Sequence, residues 1–300
     1  MSDQYPILIT SLSSIIAGSL SRLFVHPIDT LKAKLQVQQA SLTNQKITIR
    51  STVSKTLAEE GVRGLYRGFF IASAGSAPGV CVYMSAYEFA KKKLLKSEAA
   101  QKSTFWAHFC SGIFAETVSC AIFVPIDVVK ERLQVQSNLN IYNYKGGIDA
   151  FKIILNTEGL RGIYRAYGAT VCSFGPFSAL YFMFYEKFKY WTVGAQKEIS
   201  FWPSLLCSAA AGSISSVITN PLDMAKVRMQ CVRASQNSEV KLFKYNNMFH
   251  GILLIFKNEG FLALFQGSLA RILFHTPNVA IMMSTTETIR AFLEKSMQNK

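Results

Sequence analysis

Pro27-Ile28-Asp29-Thr30-Leu31-Lys32-Ala33-Lys34-Leu35-Gln36 returns twice without a gap, as Pro125-Ile126-Asp127-Val128-Val129-Lys130-Glu131-Arg132-Leu133-Gln134 and as Pro221-Leu222-Asp223-Met224-Ala225-Lys226-Val227-Arg228-Met229-Gln230. The copies lie 98 and 96 residues apart. Two further elements keep step with them. Glu60-Gly61 precedes Leu65-Tyr66-Arg67-Gly68, Glu158-Gly159 precedes Ile163-Tyr164-Arg165, and Glu259-Gly260 precedes Leu264-Phe265-Gln266-Gly267. Pro78, Pro176 and Pro277 then precede Glu88 and Lys91, Glu186 and Lys189, and Glu287 and Arg290. Self-similarity at a fixed period marks a repeat architecture, so the chain divides into three units, 1–100, 101–197 and 198–300.

Half of the 300 residues are apolar and 17% are charged, a balance typical of a membrane protein. Charge-free stretches run over 7–21, 68–87, 168–185, 202–222 and 272–286. Two of them reach the roughly 20 residues a helix needs to cross a bilayer core. The others are shorter, and His108 and Glu116 interrupt the stretch near 105–126, so several spans must face protein or water on one side. Each unit reads as a long helix with the proline element, a connector with a short amphipathic helix, and a second long helix. The expected long helices are 7–37, 69–95, 105–135, 167–191, 202–232 and 268–294. The short ones are 47–59, 147–157 and 248–258, each ended by a glycine. The polar stretch 233–244 is expected to be a loop. Lys/Arg counts do not fix the orientation of the spans.

The net charge of +14 is spread between apolar stretches, which favours anionic lipid or anionic solute over nucleic acid. Six cysteines without a C-x-x-C pair read as free thiols, and no His or Cys spacing supports a metal site or another cofactor. Motifs for an enzyme nucleophile or a nucleotide-phosphate loop are absent from the sequence.

The triplicated proline elements resemble those of the mitochondrial carrier family, and the resemblance covers essentially the whole chain. It implies an all-α, six-helix pseudo-threefold barrel in the mitochondrial inner membrane, with the short helices on the matrix side and alternating access to one central site. Ala166, where the pattern has glycine, Thr286, where it has an aromatic, and Gln266, where it has a basic residue, depart from the family.

Residues i, i+3 and i+7 of a helix lie within about 60° of one another. Asp29, Lys32 and Gln36 therefore share a face, as do Asp127, Lys130 and Gln134, and Asp223, Lys226 and Gln230. Around a threefold axis each carboxylate meets the next ammonium, pairing Asp29 with Lys130, Asp127 with Lys226 and Asp223 with Lys32, with the glutamines as braces. A pair at 4 Å is worth roughly 4 kcal/mol at an effective dielectric of 20, before desolvation. The even helices repeat the spacing at the opposite face, which predicts Glu88 with Lys189, Glu186 with Arg290 and Glu287 with Lys91. Exposed static salt bridges would contribute only about 0–1 kcal/mol each; charges inside apolar spans point to function.

The resemblance implies substrate contacts at Gly75 and Ser76, Ser173 and Phe174, and Phe274 and His275. Arg22 falls in register with a substrate-binding basic residue of nucleotide carriers. Glu116 stands where Gly18 and Gly212 stand in the other units, which puts a carboxylate beside the cavity. With Arg271 and His275 this set suits a zwitterion or a cation. Residues 176–181 and 280–284 look similar to the S-adenosylmethionine and glutathione-linked branches. The resemblance also implies cardiolipin between repeats, at Lys145, Gly146 and Gly251 where short helices begin, paired with Gly68 and Gly267; helix N-terminal amides favour phosphate. The first copy, Ile49-Arg50-Ser51, departs from that pattern. The expected protein is a monomeric carrier, and the rival reading is a non-transporting subunit or adaptor of a larger inner-membrane assembly.

Overall fold

The computed structural model describes residues 4–38, 48–94, 104–139, 144–193, 201–231 and 245–275, together with 277, 278, 281, 282 and 285. The connector 233–244, Thr286, Glu287 and Arg290 lie outside the described residues, as does most of the sixth long helix. Among the described residues every regular element is helical. Repeat 1 holds α1 (Gln4–Gln38), α2 (Ile49–Leu65) and α3 (Phe69–Leu94). Repeat 2 holds α4 (Thr104–Leu139), α5 (Gly147–Ile163) and α6 (Tyr167–Val193). Repeat 3 holds α7 (Phe201–Ile218), α8 (Asn220–Cys231), α9 (Met248–Glu259), a 3₁₀ turn (Phe261–Phe265) and the start of α10 at 268–275.

Proline shapes the three proline-bearing helices differently. Pro27 and Pro125 lie inside continuous helices. In repeat 3 the helix breaks at Thr219, just before Pro221, and α7 and α8 meet at 66°. A proline lacks the N–H that would close the turn behind it, so a bend at this site is expected. Asn220 stabilises the break: its amide donates to the carbonyls of Leu264 at 2.7 Å and Gln266 at 3.1 Å.

Among the described residues two helices are long and apolar enough to cross a membrane, Phe69–Leu94 and Phe109–Ser137, and the bent pair Trp202–Ile218 plus Asn220–Cys231 makes a third if taken as one span. α1 carries Arg22, Asp29, Lys32 and Lys34 along its length, so a long helix here does not read as a uniformly apolar one. The short helices also differ from expectation. Gly61 (φ 65°) and Gly159 (φ 64°) turn the chain, yet one more helical turn follows each, to Leu65 and Ile163.

α3 packs most extensively on α4, and α6 on α7; the lower ends of α1, α4 and α8 converge. At that convergence Ala33, Val37, Val135, Val227 and Cys231, drawn from all three repeats, form one buried cluster. Burying a valine side chain stabilises by about 1.5–3 kcal/mol. An apolar plug therefore lies where the three proline-bearing helices end, and the ion pairs of the proline elements stand on it.

Candidate functional site: an ion ring and the cavity above it

Helix periodicity places Asp29, Lys32 and Gln36 on the inner face of α1, with their counterparts on α4 and α8. Lys130 Nζ lies 2.6 Å from Asp29, Lys32 Nζ 2.7 Å from Asp223, and Lys226 Nζ 3.4 Å from Asp127. Every pair joins two repeats, in the cyclic order the register dictates. The braces are unequal. Gln36 Nε2 donates to Asp223 at 3.1 Å, and Gln134 Nε2 donates to Asp29 at 3.5 Å and to Thr30 Oγ1 at 3.1 Å. Both polar atoms of the Gln230 amide are buried without a hydrogen-bond partner among the described residues. The unbraced pair, Asp127 with Lys226, is also the longest, and the Asp127 side chain is 32% exposed against 14% for Asp29 and Asp223.

A second set of charges, which sequence reasoning left without a role, lies outside the ring. Lys34, Arg132 and Arg228 are fully buried, and each pairs with the glutamate of the Glu-Gly element in its own repeat. Arg132 forks onto Glu158 at 2.5 and 2.9 Å, Arg228 forks onto Glu259 at 2.5 and 2.8 Å, and Lys34 pairs with Glu60. Bidentate guanidinium–carboxylate pairs are among the strong hydrogen-bonded contacts. The arginines also reach across repeats: Arg132 Nε donates to the Gln230 carbonyl and Arg228 Nε to the Gln36 carbonyl, each at 3.0 Å. Burial opposes ionisation of Glu60, but hydrogen bonds from Lys34 and Ser137 and the charges of Lys34 and Arg67 outweigh it, holding its pKa below the ordinary 4.5. Each short helix is thereby fastened to the lower end of its proline helix.

Directly above the ring is a cavity lined by Arg22, His26, Asp29, Ala72, Phe123, Ile126, Asp127, Lys130 and Phe274. Arg22 donates to the Ala72 carbonyl. Its repeat-3 counterpart in role is Arg271, which donates to the Ser216 carbonyl at 3.1 Å, stands 3.9 Å from Asp223 and lies over the Phe177 ring at 5.5 Å. His275 stacks on Phe177, with centroids 5.2 Å apart. Arg271 thus touches both the ring carboxylate Asp223 and the aromatic group that holds His275.

Glu116 is partly buried on α4; Cys120 Sγ is 3.7 Å from its carboxylate, and no ion pair engages it among the described residues. The other sequence candidates divide. Phe274 lines the cavity over the ring. Phe174, with Gly175 and Ser178, lines a separate apolar cavity against Tyr83, Tyr87 and Phe109. Gly75 is a packing site, since a Cβ there would fall 2.2 Å from Ile126 Cδ1, and Ser76 is buried with its hydroxyl on the Ser73 carbonyl. Ser173 bonds the Thr170 carbonyl at 3.0 Å. His26 is structural: its Nε2 meets the Arg67 carbonyl at 2.9 Å, and its ring packs with Tyr66 and Phe69.

At the far ends of α3 and α6, no ion pair joins Glu88, Lys91, Glu186 or Lys189 among the described residues. The partners expected of Glu186 and Lys91, Arg290 and Glu287, lie outside them.

The residues expected to hold lipid adopt distinctive backbone geometry. Gly68 (φ 80°) sits 3.2–3.3 Å, measured from an added Cβ, from Lys130, and Gly267 (φ 78°) lies equally close to Gln36. Ala166 holds the same left-handed conformation, φ 68°, with a side chain present. Gly146 caps α5 and Gly251 is buried against Tyr245. Lys145 is exposed and its N–H donates to Asp149 at 2.9 Å.

The family model described as Mitochondrial carrier protein matches residues 3–98, 101–195 and 197–297. The chain is 32% identical over 292 residues to Mitochondrial substrate carrier family protein E of Dictyostelium discoideum, covering 93% of this chain and 94% of that one. It is 32% identical over 263 residues to the S-adenosylmethionine mitochondrial carrier protein homolog of Drosophila melanogaster, covering 87% and 84%. It is 30% identical over 285 residues to the mitochondrial aspartate-glutamate transporter AGC1 of Saccharomyces cerevisiae, covering 93% of this chain and 31% of that longer protein. Relatives named for different cargoes are thus nearly equidistant.

Proposed function

The chain belongs to the mitochondrial carrier family, and we propose that it moves a small charged or zwitterionic metabolite across the mitochondrial inner membrane by alternating access to the cavity above the ion ring. The observation that carries this reading is the cyclic set of three cross-repeat pairs, Lys130–Asp29, Lys226–Asp127 and Lys32–Asp223, standing on an apolar plug. In this reading the six long helices form a pseudo-threefold barrel, the ring is its matrix gate, and Glu88, Lys91, Glu186, Lys189, Glu287 and Arg290 form the gate at the cytoplasmic face. Each pair contributes a few kcal/mol at most after desolvation, so the ring holds when closed and parts when a substrate stabilises the intermediate.

Substrate chemistry follows from the groups around the cavity. Arg22 and Arg271 offer fixed guanidinium groups for a carboxylate or phosphate. Glu116 offers a carboxylate for a cationic group, and Phe177 with His275 offers a flat surface. An amino-acid-like zwitterion with a second cationic or planar part, the class to which S-adenosylmethionine belongs, uses all three. An anion on Arg271 would also compete with Asp223 for it, linking occupancy to the gate. Cardiolipin between repeats, beside the left-handed junctions at Gly68 and Gly267, and a monomeric working unit complete the proposal.

Purified chain in liposomes, screened with labelled S-adenosylmethionine, amino acids, nucleotides, glutathione and carboxylates, tests it. Uptake of a zwitterion or cation that falls at least about tenfold in Glu116→Gln, the equivalent of roughly 1.4 kcal/mol, supports the reading. An unchanged profile in that variant removes Glu116 from the site. Failure to move any class, with tight copurification of membrane partners, replaces the carrier by an adaptor.

A further inference from the structure

Glu131 breaks the threefold pattern of the ring. Its equivalents are Ala33 and Val227, which are part of the apolar plug. Glu131 instead adds a fourth carboxylate to three aspartates that already have one lysine each. It is 7% exposed. Its Oε1 lies 3.2 Å from Lys130 Nζ, an ammonium already 2.6 Å from Asp29. Its Oε2 is buried with no hydrogen-bond partner among the described residues. The titratable groups that act with it are Asp29 and Lys32 from α1, Asp127 and Lys130 from α4, and Lys226 and Cys231 from α8.

Asp127 and Glu131 are i and i+4 on one helix, where like charges repel. A buried ionised carboxylate with unmet lone pairs is also disfavoured, and the extra cation Arg271 is engaged near Asp223. The hydrogen-bond inventory points the same way. Among the described residues the buried oxygens Gln36 Oε1, Gln134 Oε1 and Gln230 Oε1 have no donor, against one buried donor, Gln230 Nε2, with no acceptor, and Gln134 is three residues beyond Glu131 on the same helix, a neighbouring position. An ionised carboxylate only accepts, and so enlarges this surplus of acceptors, whereas a protonated one donates.

We infer that Glu131 is a proton-binding site of the closed ring, its carboxyl taking one proton from water as α1, α4 and α8 close over it and returning that proton to water when they part. The O–H bond formed on Oε2 replaces one broken in a hydronium ion, which leaves as water, and opening reverses the exchange. Acid conditions therefore favour the closed ring, and each opening on the matrix side releases one proton there. The inference rests on the gate reading above.

Infrared spectra of the purified full-length chain in detergent near neutral pH provide the test. A carboxylic-acid carbonyl band that shifts in deuterium oxide is expected in the wild type, lost in Glu131→Gln and retained in Glu116→Gln. A spectrum unchanged by Glu131→Gln overturns the proposal. Thermal unfolding gives an independent readout. The native chain would hold a proton that the unfolded chain releases above its ordinary carboxylate pKa, so wild-type stability falls as pH rises beyond that point. Glu131→Gln, and Glu131→Ala with the residue repeat 1 uses, should lose that slope; equal slopes in all three overturn it. Neither readout needs a transported solute. A missing band with uptake intact leaves the carrier reading standing, and a band present without uptake strikes only the gate reading.

Discussion

At the plug end of the proline helices three ammonium groups sit 2.6–3.4 Å from carboxylates of neighbouring repeats; at the far end of α3 and α6, Glu88, Lys91, Glu186 and Lys189 carry the same i, i+3 spacing and are joined by no ion pair among the described residues. The charges are alike, but the backbones differ. Where the proline helices converge on buried valines, opposite charges come within contact. Local spacing therefore specifies who can pair with whom, and helix convergence decides whether they do.

Charge reversal breaks this contrast most severely. Asp127→Lys or Lys226→Asp sets two like charges in the ring, and a stranded buried charge costs about 3–5 kcal/mol, so either single variant should abolish liposome uptake while the double reversal restores it. Next in size, Arg132→Ala strips a fully buried fork from Glu158 and should lower unfolding stability by about 3–5 kcal/mol. Glu88→Ala, at the unpaired end, should stay within about 1 kcal/mol; thermal unfolding of both in the same detergent measures the difference. The braces give a finer scale. Gln36→Leu removes a hydrogen bond to ionised Asp223 and should cost about 1.5–3 kcal/mol, whereas Gln230→Leu removes an amide with no partner among the described residues and should be neutral or stabilising. The smallest effect is expected at the repeat junction, where Ala166→Gly relieves a left-handed alanine and should stabilise by about 1 kcal/mol. A loss there would mean that packing of the Ala166 methyl against Ala169, Ala225 and Met248 outweighs the backbone strain.

The three repeats and the cyclic order of the ring were legible because both rest on spacing alone. The locks of Lys34, Arg132 and Arg228 onto Glu60, Glu158 and Glu259 were not, although all six residues stand in the triplicated elements. Each basic residue comes five positions after the ring aspartate, about 140° around the helix from it. It therefore points away from the shared axis toward its own short helix, a direction that charge pairing between repeats does not reveal. The close approach of Ile126 to Gly75 was equally illegible, because it is a tertiary fact. Hydropathy does not single out α1 as apolar enough to cross a membrane, because Arg22, Asp29, Lys32 and Lys34 are spread along it. The break at Thr219 was also hidden, since the same proline element leaves α1 and α4 continuous.

The long-reaching arginines leave the three-membered collar unevenly clasped. Arg132 fastens repeat 2 to the end of the proline helix of repeat 3, and Arg228 fastens repeat 3 to the end of the proline helix of repeat 1. Lys34, with one ammonium committed to Thr56 and Glu60, throws no such strap toward Gln134. The seam between the first and second repeats is held instead by the Lys130–Asp29 pair, by Gln134 on Asp29 and Thr30, and by Ser137 on Glu60, so side chains of the ring do there what the arginine straps do at the other two seams.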